Sequence, residues 1–597
     1  MQPRTLYKMF LETVEQHGSR PALGFRAGRD HVMQYVTYTE LAKRVRHFLR
    51  GLDALGLQRG DALALLAENC PQWAIVDLAV QGLGLKTVSP YTTLPVAQAG
   101  FIVADSGAKA IVVHDAKQLA KVREFRAEAK ELQHIIVLDP TLKAEDTLTF
   151  EEVMQLPGKS DAEIDALIAK VSPDDIATLI YTSGTTGTPK GAMLSHTNVL
   201  QTPDGVVESR LAELNSEDVF LSFLPLSHIT ERIGGHYLPL RVGACIVYSL
   251  GLSALAEEIQ TVVRPTSMLC VPRLWENMYS KAKEGLAKRP EKERSKIEWG
   301  IGIGERSALL RSEGRSLGLL LKLQLAVAEK LILSKIRAKI TGGRLRYSVS
   351  GGAPLDAKTA TFFIGIGVNL LEGYGLSETN IIALNRPNKQ RIGTVGTLLP
   401  HVEVKIAGDG EILMRGQGRM QGYYDRPEET AEAIDSEGWF HTGDIGELSQ
   451  DGFLKITDRK KDLLVLSNGK KVAPQPLEAE LKQSEYIGEA VLFGDRQPTI
   501  SALLVPAFDK LLHWAKEQGI EGNIEVLIEN DKVQRLFKEQ IDKVNATLPG
   551  YERIKRFRLI PRPFSIEGGE LTPTLKVRRK VVAEKYAHLI ATFSASS

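Results

Sequence analysis

Short apolar runs alternate with segments of helical spacing along the first part of the chain, and this alternation restricts the fold more than any other feature. Buried-strand patterns lie at residues 61–66, 110–113 and 134–138, and helical patterns lie at residues 37–55 and 73–83. Strands that alternate with helices predict parallel sheets covered by helices. Thr39 is the expected N-cap of the helix at residues 37–55. The chain is therefore predicted to be an α/β protein.

The length of 597 residues exceeds what one hydrophobic core usually supports, so at least two domains are expected. After residue 402, short strand patterns separated by Gly- and Asp-rich turns predict a compact β-rich subdomain. The charged stretch at residues 457–462 then leads into the patterns of a smaller α+β unit. We predict a large layered α/β domain over residues 1–458, which includes the β-rich subdomain, and a small α+β domain over residues 459–597.

Charge and cysteine content exclude several classes of protein. The net charge is +2, from 75 basic and 73 acidic residues, which argues against a nucleic-acid binder. Cys70, Cys245 and Cys270 are far apart, so neither a disulfide framework nor a zinc site is expected, and a cytoplasmic location is predicted. The apolar stripe at residues 316–340 is predicted to be core, with peripheral membrane contact as the second interpretation.

Residues 181–191, YTSGTTGTPKG, form the strongest local motif. The glycines permit close backbone approach, the hydroxyl side chains and backbone N–H groups can donate to oxygen anions, and Lys190 adds a positive charge. A Walker A loop requires Lys between Gly and a hydroxyl residue, and here Lys190 lies between Pro189 and Gly191, so that alternative fails. A flexible surface turn is the other alternative. The preceding apolar strand and the lysine favour polyphosphate binding.

Further motifs follow in a fixed order. They are SGGAP at residues 350–354, YGLSET at 374–379, GWFHTGD at 438–444, DRKK at 458–461, SNGKKVAP at 467–474 and LTPTLKVRR at 571–579. Each alone would be interpreted as a turn, a solvated acid or a charged linker. In this order, and with the loop at 181–191, they resemble the adenylate-forming enzymes, the family of acyl-CoA synthetases, peptide-synthetase adenylation domains and firefly luciferase. The resemblance covers nearly the whole chain.

The resemblance implies a role for each motif. It implies that Asp444 and Arg459 hold the ribose of ATP and that Thr182 is catalytic. The other residues that would contact ATP are Tyr181, Ser183, Gly184, Thr185, Thr186, Gly187, Lys190, Gly351, Gly352, Ala353, Tyr374, Gly375 and Thr379. Glu378 would be both catalytic and a Mg²⁺ ligand, because a hard cation prefers carboxylate oxygen. Lys461 would be the hinge of a mobile small domain, Gly469 would lie beside the coenzyme A tunnel, and Lys576 would be the lysine of the adenylation step.

The implied reaction is the activation of a carboxylic acid by ATP to acyl-AMP and pyrophosphate, followed by thioester formation with coenzyme A. Residues 223–240 and 271–279 and the LTPTLK motif resemble long-chain fatty acyl-CoA synthetases, which implies a medium- or long-chain fatty acid. His228 would lie near the substrate carboxylate. A hydrogen-bonded structural role for His228 is an equal alternative, since histidine is common at partly buried positions.

Other functions on the same scaffold remain open. An aryl-CoA ligase, or a fatty acyl-AMP ligase that loads a carrier protein, would share the adenylation motifs. A non-catalytic nucleotide- or lipid-binding protein is a third alternative, although Lys190, Glu378 and Lys576 are all present. A Walker-type NTPase would release ADP and phosphate, not AMP and pyrophosphate.

A fatty acid substrate also suggests peripheral contact with the inner face of a membrane.

Overall fold

The computed structural model describes residues 4–28, 30–182, 188–211, 213–387, 389–565, 567–572 and 577–593. The chain divides into two compact units. The larger unit comprises Met1–Lys405, Leu413–Thr442 and Leu448–Leu454, and the smaller comprises Ile406–Ile412, Gly443–Glu447 and Lys455–Ser597. Short segments before residue 459 therefore belong to the smaller unit.

The strands alternate with helices along most of the chain. In chain order they are β1 Pro21–Ala27, β2 Val32–Thr37, β3 Ala62–Leu66, β4 Lys86–Val88, β5 Ala108–Val113, β6 His134–Val137, β7 Leu148–Thr149, β8 Ile176–Thr182, β9 Lys190–Ser195, β10 Val219–Ser222, β11 Cys245–Tyr248, β12 Ser267–Cys270, β13 Tyr347–Ser350, β14 Leu370–Leu376, β15 Asn380–Leu384, β16 Thr397–Leu398, β17 Val402–Ile406, β18 Glu411–Gly416, β19 Gly422–Tyr423, β20 Phe440–Leu448, β21 Leu454–Arg459, β22 Leu464–Val465, β23 Lys471–Val472, β24 Ile487–Phe493, β25 Ile500–Pro506 and β26 Ile554–Leu559.

The α-helices, in chain order, are α1 Leu6–His17, α2 Tyr38–Ala54, α3 Pro71–Leu83, α4 Val96–Asp105, α5 Ala116–Phe125, α6 Phe150–Gln155, α7 Asp161–Ile168, α8 His196–Glu208, α9 Ile229–Glu231, α10 Leu238–Val242, α11 Leu255–Glu257, α12 Pro272–Ala287, α13 Glu291–Ser312, α14 Leu319–Ala328, α15 Ser334–Thr341, α16 Ala357–Gly365, α17 Pro427–Ala433, α18 Pro474–Leu481, α19 Phe508–Glu517, α20 Ile524–Glu529, α21 Asp531–Asn545, α22 Arg579–Lys585 and α23 Ala587–Ala591. A 3₁₀ turn lies at Pro140–Leu142, and π-helical turns lie at Arg232–Tyr237, Glu258–Val262 and Glu329–Leu333.

Two large sheets form the frame of the larger unit. One has the strand order β16-β15-β14-β13-β12-β10-β11-β1-β2, and the other has the order β19-β9-β8-β4-β3-β5-β6-β7. From β14 to β1 in the first sheet, and from β8 to β7 in the second, neighbouring strands are parallel. Antiparallel strands are added only outside these runs, so the predicted parallel α/β architecture is confirmed.

The cores show that the larger unit is layered. In β3, Leu63 and Leu65 face one hydrophobic core, whereas Ala62, Ala64 and Leu66 face another, as the two-residue period of a strand requires. The first of these cores also holds residues of α1, α2, α3 and of the other large sheet. The second core is covered by α4 and α5. Helices α12, α13 and α16 cover the remaining face of the first sheet. Helices and sheets therefore alternate in layers.

The β-rich part is a sheet of order β17-β18-β20-β21, as expected for the segment after residue 402. In the smaller unit, β24, β25 and β26 form a further sheet. Alternate residues of β25 face two cores, one covered by α18 to α21 and the other by α22 and α23. None of the helices formed by the described residues combines the length and the apolar character needed to cross a bilayer.

Candidate active site

The phosphate-loop motif lies on a β-hairpin formed by β8 and β9. Tyr181 pairs with Gly191, and Thr182 pairs with Lys190. Two predicted site residues, Thr182 and Lys190, therefore lie opposite each other in the last pair of the two strands. A Cβ at position 191 would lie only 3.1 Å from the Tyr181 ring, which favours glycine there. The remaining predicted residues of this loop, Ser183, Gly184, Thr185, Thr186 and Gly187, lie outside the described residues.

A carboxylate and two hydroxyls meet beside this hairpin. The Tyr423 hydroxyl donates to Glu378 Oε1 at 3.1 Å, and the Thr182 hydroxyl donates to the same oxygen at 3.4 Å. Burial, followed by the negative charge of Glu378, raises the pKa of Tyr423 well above its usual value. The phenol therefore remains protonated and can donate. The structure thus brings the predicted residues Thr182 and Glu378 together.

A positive charge completes this cluster. Lys190 Nζ lies 3.9 Å from Glu429 Oε1 and 5.5 Å from the centroid of the Tyr423 ring. The aromatic face attracts the ammonium group through the ring quadrupole. Tyr423 is brought here because β19 pairs with β9, with Tyr423 opposite Ala192. An ammonium group, a carboxylate and a hydroxyl at one site suit a polyphosphate bound with a divalent cation.

Sequence reasoning missed Tyr423, Glu429, Asp105 and Arg426. The Tyr181 hydroxyl donates to Asp105 Oδ2 at 2.7 Å, and Arg426 Nη2 donates to Asp105 Oδ1 at 2.7 Å. Burial, followed by the hydrogen bond to Asp105, raises the pKa of Tyr181 above its usual value, so the phenol remains protonated. For Tyr423, Arg426 and Glu429, the local signal is the run GYYDRPEE at residues 422–429, where aromatic and charged residues stand together.

A small cavity of about 20 Å³ lies at the ends of β13 and β14. Its lining includes the predicted residues Gly351, Gly352, Tyr374 and Gly375, together with Thr230 of α9. Parallel strands end at the same sheet edge, which explains why two motifs distant in sequence line one cavity. Ala353 is exposed and is not among the lining residues.

Backbone contacts shape the segment that carries Glu378. A Cβ at Gly375 would lie 2.0 Å from the carbonyl oxygen of Asn380, at the point where the register of β14 and β15 shifts. Only glycine permits so close an approach. The Thr379 side chain is buried, and its hydroxyl accepts a hydrogen bond from the Leu376 backbone N–H at 3.1 Å. Thr379 thus closes the turn that presents Glu378.

His228 begins the helical segment beside this cavity. Its Nδ1 accepts a hydrogen bond from the Thr230 backbone N–H at 3.2 Å and caps α9. This contact is the hydrogen-bonded structural role foreseen as one alternative. The neighbouring residues Ile229, Thr230 and Ile233 line the cavity. Because Nδ1 accepts, the neutral ring carries its proton on Nε2.

A buried ion pair anchors the same helical segment. The side chains of Arg232 and Asp77 are fully buried and paired, and Arg232 also donates to the Thr178 hydroxyl at 2.7 Å. Tyr237 donates to Asp77 Oδ2 at 2.5 Å. Burial acts to raise the pKa of Asp77, but Arg232, His236 and Tyr237 outweigh it, and the pKa is well below its usual value. These contacts therefore hold the helical segment that lines the cavity against α3 and β8.

In the smaller unit, the two predicted ribose ligands lie together. Arg459 Nε is 3.1 Å from Asp444 Oδ1. Asp444 is buried, whereas the Arg459 side chain is half exposed. The adjacent residue Asp458 is also buried, and burial raises the pKa of its carboxyl to about 7. The middle of β20 and the end of β21 thus place a carboxylate beside a guanidinium group.

The remaining predicted residues lie on turns of the smaller unit or outside the described residues. Lys461 is exposed and lies in a turn closed by the hydrogen bond from the Asp462 N–H to the Arg459 carbonyl at 3.0 Å. Gly469 lies in the turn between β22 and β23 with φ +80°, a conformation that favours glycine. Lys576 lies outside the described residues.

Comparison with known proteins agrees with this geometry. Residues 10–424 match the model of the AMP-binding enzyme family, and residues 461–596 match the model of the AMP-binding enzyme C-terminal domain. The chain therefore belongs to the AMP-binding enzyme family. The long-chain-fatty-acid–CoA ligase FadD15 of Mycobacterium bovis is 34% identical, over 96% of this chain and 97% of its own length. The human long-chain-fatty-acid–CoA ligase ACSBG1 is 32% identical, over 99% and 85% respectively.

Solved structures show the same fold. The adenylation domain of a carboxylate reductase from Mycobacterium chelonae superimposes with a TM-score of 0.77 at 24% identity, and the match covers all of this chain and 92% of that domain. The resemblance to the adenylate-forming enzymes is thus confirmed for both family and fold.

Proposed function

We propose that this protein is an ATP-dependent acid–thiol ligase that converts a medium- or long-chain fatty acid to acyl-AMP and then to acyl-coenzyme A. The contact of Thr182 and Tyr423 with Glu378 at the mouth of the phosphate hairpin is the observation that carries the proposal. The family membership supports acyl-adenylate chemistry. The names of the relatives FadD15 and ACSBG1 support a long-chain fatty acid as substrate and coenzyme A as acceptor.

Charge explains why this site suits the first half-reaction. A carboxylate and ATP are both anions and repel each other, so a site must supply positive charge and hold them in line. Lys190 would neutralise the β- and γ-phosphates, and the hydroxyl of Thr182 would donate to a phosphate oxygen. Tyr374 would stack against the adenine, and Gly351 and Gly352 would let the base approach the backbone.

The residues present fit a magnesium ion. In the part of the chain that the structure describes, no cluster of three or more His, Cys, Asp or Glu side chains forms a metal cage. Mg²⁺ bound to a nucleotide usually takes one or two carboxylates together with phosphate oxygens. Glu378 offers such a carboxylate, and the Thr182 hydroxyl lies beside it. When bound, Mg²⁺ supplies charge neutralisation to the phosphates.

The residues that line the cavity beside Thr230 would contact the carboxylate end of the acid substrate. Its apolar side chains include Ile229, Ile233 and Val349. His228 would donate from Nε2 to the substrate carboxylate, since Nδ1 already accepts from the backbone. A structural capping role and a substrate contact are compatible for this histidine.

The smaller unit would serve both half-reactions. Asp444 and Arg459 would hold the ribose, because a carboxylate can accept hydrogen bonds from both hydroxyls of a diol. Lys461 would be the hinge between a domain of residues 1–458 and a mobile domain of residues 459–597. The start of the C-terminal family match at residue 461 supports this boundary. Gly469 would approach the thiol arm of coenzyme A after the mobile domain has rotated. Lys576 would serve the adenylation step.

We infer that the reaction takes place in the cytoplasm. Cys70, Cys245 and Cys270 are unpaired, which fits a reducing compartment.

Acid-dependent release of pyrophosphate from ATP tests the proposed function. Acids from acetate to palmitate, with benzoate and cinnamate, should be compared with and without coenzyme A. We expect turnover to be fastest with long-chain acids and to require coenzyme A. Preference for benzoate or cinnamate would favour an aryl-CoA ligase, and pyrophosphate release that stalls with coenzyme A but proceeds with a carrier protein would favour the carrier-loading alternative. ADP as the main product would contradict adenylation.

Replacing Tyr423 by phenylalanine is expected to raise the Mg²⁺ concentration for half-maximal pyrophosphate release about tenfold. The change removes the hydroxyl that orients Glu378, and loss of such an outer partner typically costs a metal site about ten- to a hundredfold. Tyr424→Phe is the matched control, because it removes a neighbouring hydroxyl and keeps the ring beside Lys86. An unchanged Mg²⁺ dependence in the Tyr423→Phe variant would show that Tyr423 does not position Glu378.

A further inference from the structure

One exposed apolar surface lies on a helical segment that carries none of the predicted site residues. Within the described residues, the helical segment of residues 319–341 begins with α14, continues through a π-helical turn and ends with α15. Its exposed apolar side chains have between 49% and 76% of their surface accessible. They are Leu319, Leu320, Leu323, Val327 and Leu331. The stripe was predicted to be core, with peripheral membrane contact as the second interpretation, and the structure buries only part of it.

The segment is apolar on two sides. Leu321, Ala328 and Leu333 are buried in the body of the larger unit, and a Cβ at Gly300 of α13 would lie 2.8 Å from Ile332. The exposed residues Leu319, Leu323, Val327 and Leu331 recur every four positions, which places them on one other face of the helix. Packing within the larger unit explains the first face. It does not explain the exposed face, where large leucine side chains remain in contact with water, which is energetically unfavourable.

The charge of this segment complements an anionic surface. Residues 316–341 contain five basic side chains and one acidic side chain, whereas the whole chain of 597 residues has a net charge of only +2. Arg337 pairs with Glu329, which leaves four exposed lysines beside the leucines. They are Lys322, Lys330, Lys335 and Lys339. Exposed leucines bordered by lysines are typical of helices that lie in the interface of a lipid bilayer.

A second copy of the chain suits this surface less well. A twofold contact would bring the same surface of each copy together, and the lysines of both would then repel each other. Anionic lipid headgroups would instead neutralise the lysines while the acyl chains receive the leucines. Trp299, which is exposed on the neighbouring helix α13, is also a residue type enriched at membrane interfaces.

We propose that the segment of residues 319–341 binds the surface of an anionic lipid bilayer, with Leu319, Leu323 and Leu331 inserted between the headgroups. This contact does not depend on the ligase activity. It would bring the larger unit to the phase in which long acyl chains are most concentrated.

Sedimentation with lipid vesicles tests the proposal on the full chain. Vesicles of phosphatidylcholine alone are compared with vesicles that also contain phosphatidylglycerol. We expect binding to the anionic vesicles that weakens as salt is added. The triple variant Leu319→Gln, Leu323→Gln, Leu331→Gln should reduce binding about tenfold or more, because three apolar side chains no longer leave water. Replacing the four lysines by glutamine should remove the preference for anionic vesicles.

Leu252→Gln is the matched control, because Leu252 is 72% exposed but lies in a turn outside this segment. It should bind vesicles like the unchanged protein. Circular dichroism and thermal unfolding establish that each variant is folded. Absence of vesicle binding by the unchanged protein, or equal binding by the triple leucine variant, would overturn the proposal. A concentration-dependent dimer that the leucine substitutions abolish, without vesicle binding, would also overturn it and assign the surface to self-association.

Discussion

Replacing Lys576 by alanine is expected to slow acyl-adenylate formation about a hundred- to a thousandfold, as the loss of one group that stabilises transition-state charge typically does. The lysine would bridge the substrate carboxylate and the α-phosphate as charge develops. Thioester formation from supplied acyl-adenylate should remain near its original rate, since in that step the thiol attacks the acyl carbon and no bond to the α-phosphorus forms. Pyrophosphate release measures the first half-reaction, and chromatography of acyl-coenzyme A formed from synthetic acyl-adenylate measures the second.

Lys580→Ala is the control for the Lys576 variant. Lys580 belongs to the same basic run and is exposed in the structure, so its replacement should leave both half-reactions unchanged. Arg579 is unsuitable as a control because it donates to Glu478 Oε1 at 2.7 Å and to the Leu492 carbonyl at 2.7 Å. Equal loss of both half-reactions in the Lys576→Ala variant would contradict the assignment of Lys576 to adenylation alone.

Replacing Arg232 by methionine is expected to lower the free energy of unfolding of the larger unit by about 3 to 5 kcal/mol. The substitution leaves the Asp77 carboxylate fully buried without its strongest positive partner. Urea unfolding followed by tryptophan fluorescence measures the loss, since Trp73 lies against the Arg232 guanidinium at 5.4 Å. A decrease in the free energy of unfolding of less than about 1 kcal/mol would contradict the interpretation that the variant leaves a buried charge without a partner.

Two further variants separate charge from packing. Adding Asp77→Asn to Arg232→Met removes the uncompensated charge and should restore part of the lost stability. Lys538→Ala removes an exposed ion pair with Asp542, in which both side chains are more than half accessible. Exposed pairs contribute about 0 to 1 kcal/mol, so this control should have little effect. If the double variant is less stable than Arg232→Met alone, the hydrogen bonds that Asp77 loses contribute more to stability than the removal of its unpaired charge restores.

Most strands and helices could be predicted because their local pattern and their tertiary environment agree. The run at residues 61–66 became β3, buried on both faces, and the run at residues 134–138 became β6. Helix boundaries were less predictable. Thr39 is not the N-cap of α2; the Thr37 hydroxyl accepts from the Glu40 backbone N–H at 3.2 Å instead. The two threonines are locally similar, and the end of β2 at Thr37 decides between them.

The candidate site was predictable where a short motif itself contains the residue types that the chemistry requires. The motifs led to Thr182 and Glu378, and to Asp444 and Arg459, and the structure brings each of these pairs together. Tyr423 was not predictable, because it lies 45 residues after Glu378 and contacts it only through the pairing of β19 with β9. The ion pair of Asp77 with Arg232, 155 residues apart, was missed for the same reason.

The sequence by itself determined the layered α/β class, the family and the order of the motifs, because periodicity, glycine positions and charged residues act over a few neighbouring residues. Tertiary structure decided which distant side chains share a site, and which face of an apolar helix is buried. Residues 316–340 illustrate the difference: their leucine spacing specifies a helix, but burial of Leu321 and exposure of Leu320 depend on where α13 packs. Local periodicity has no information about that neighbour, since the contact free energy arises only after the chain has folded.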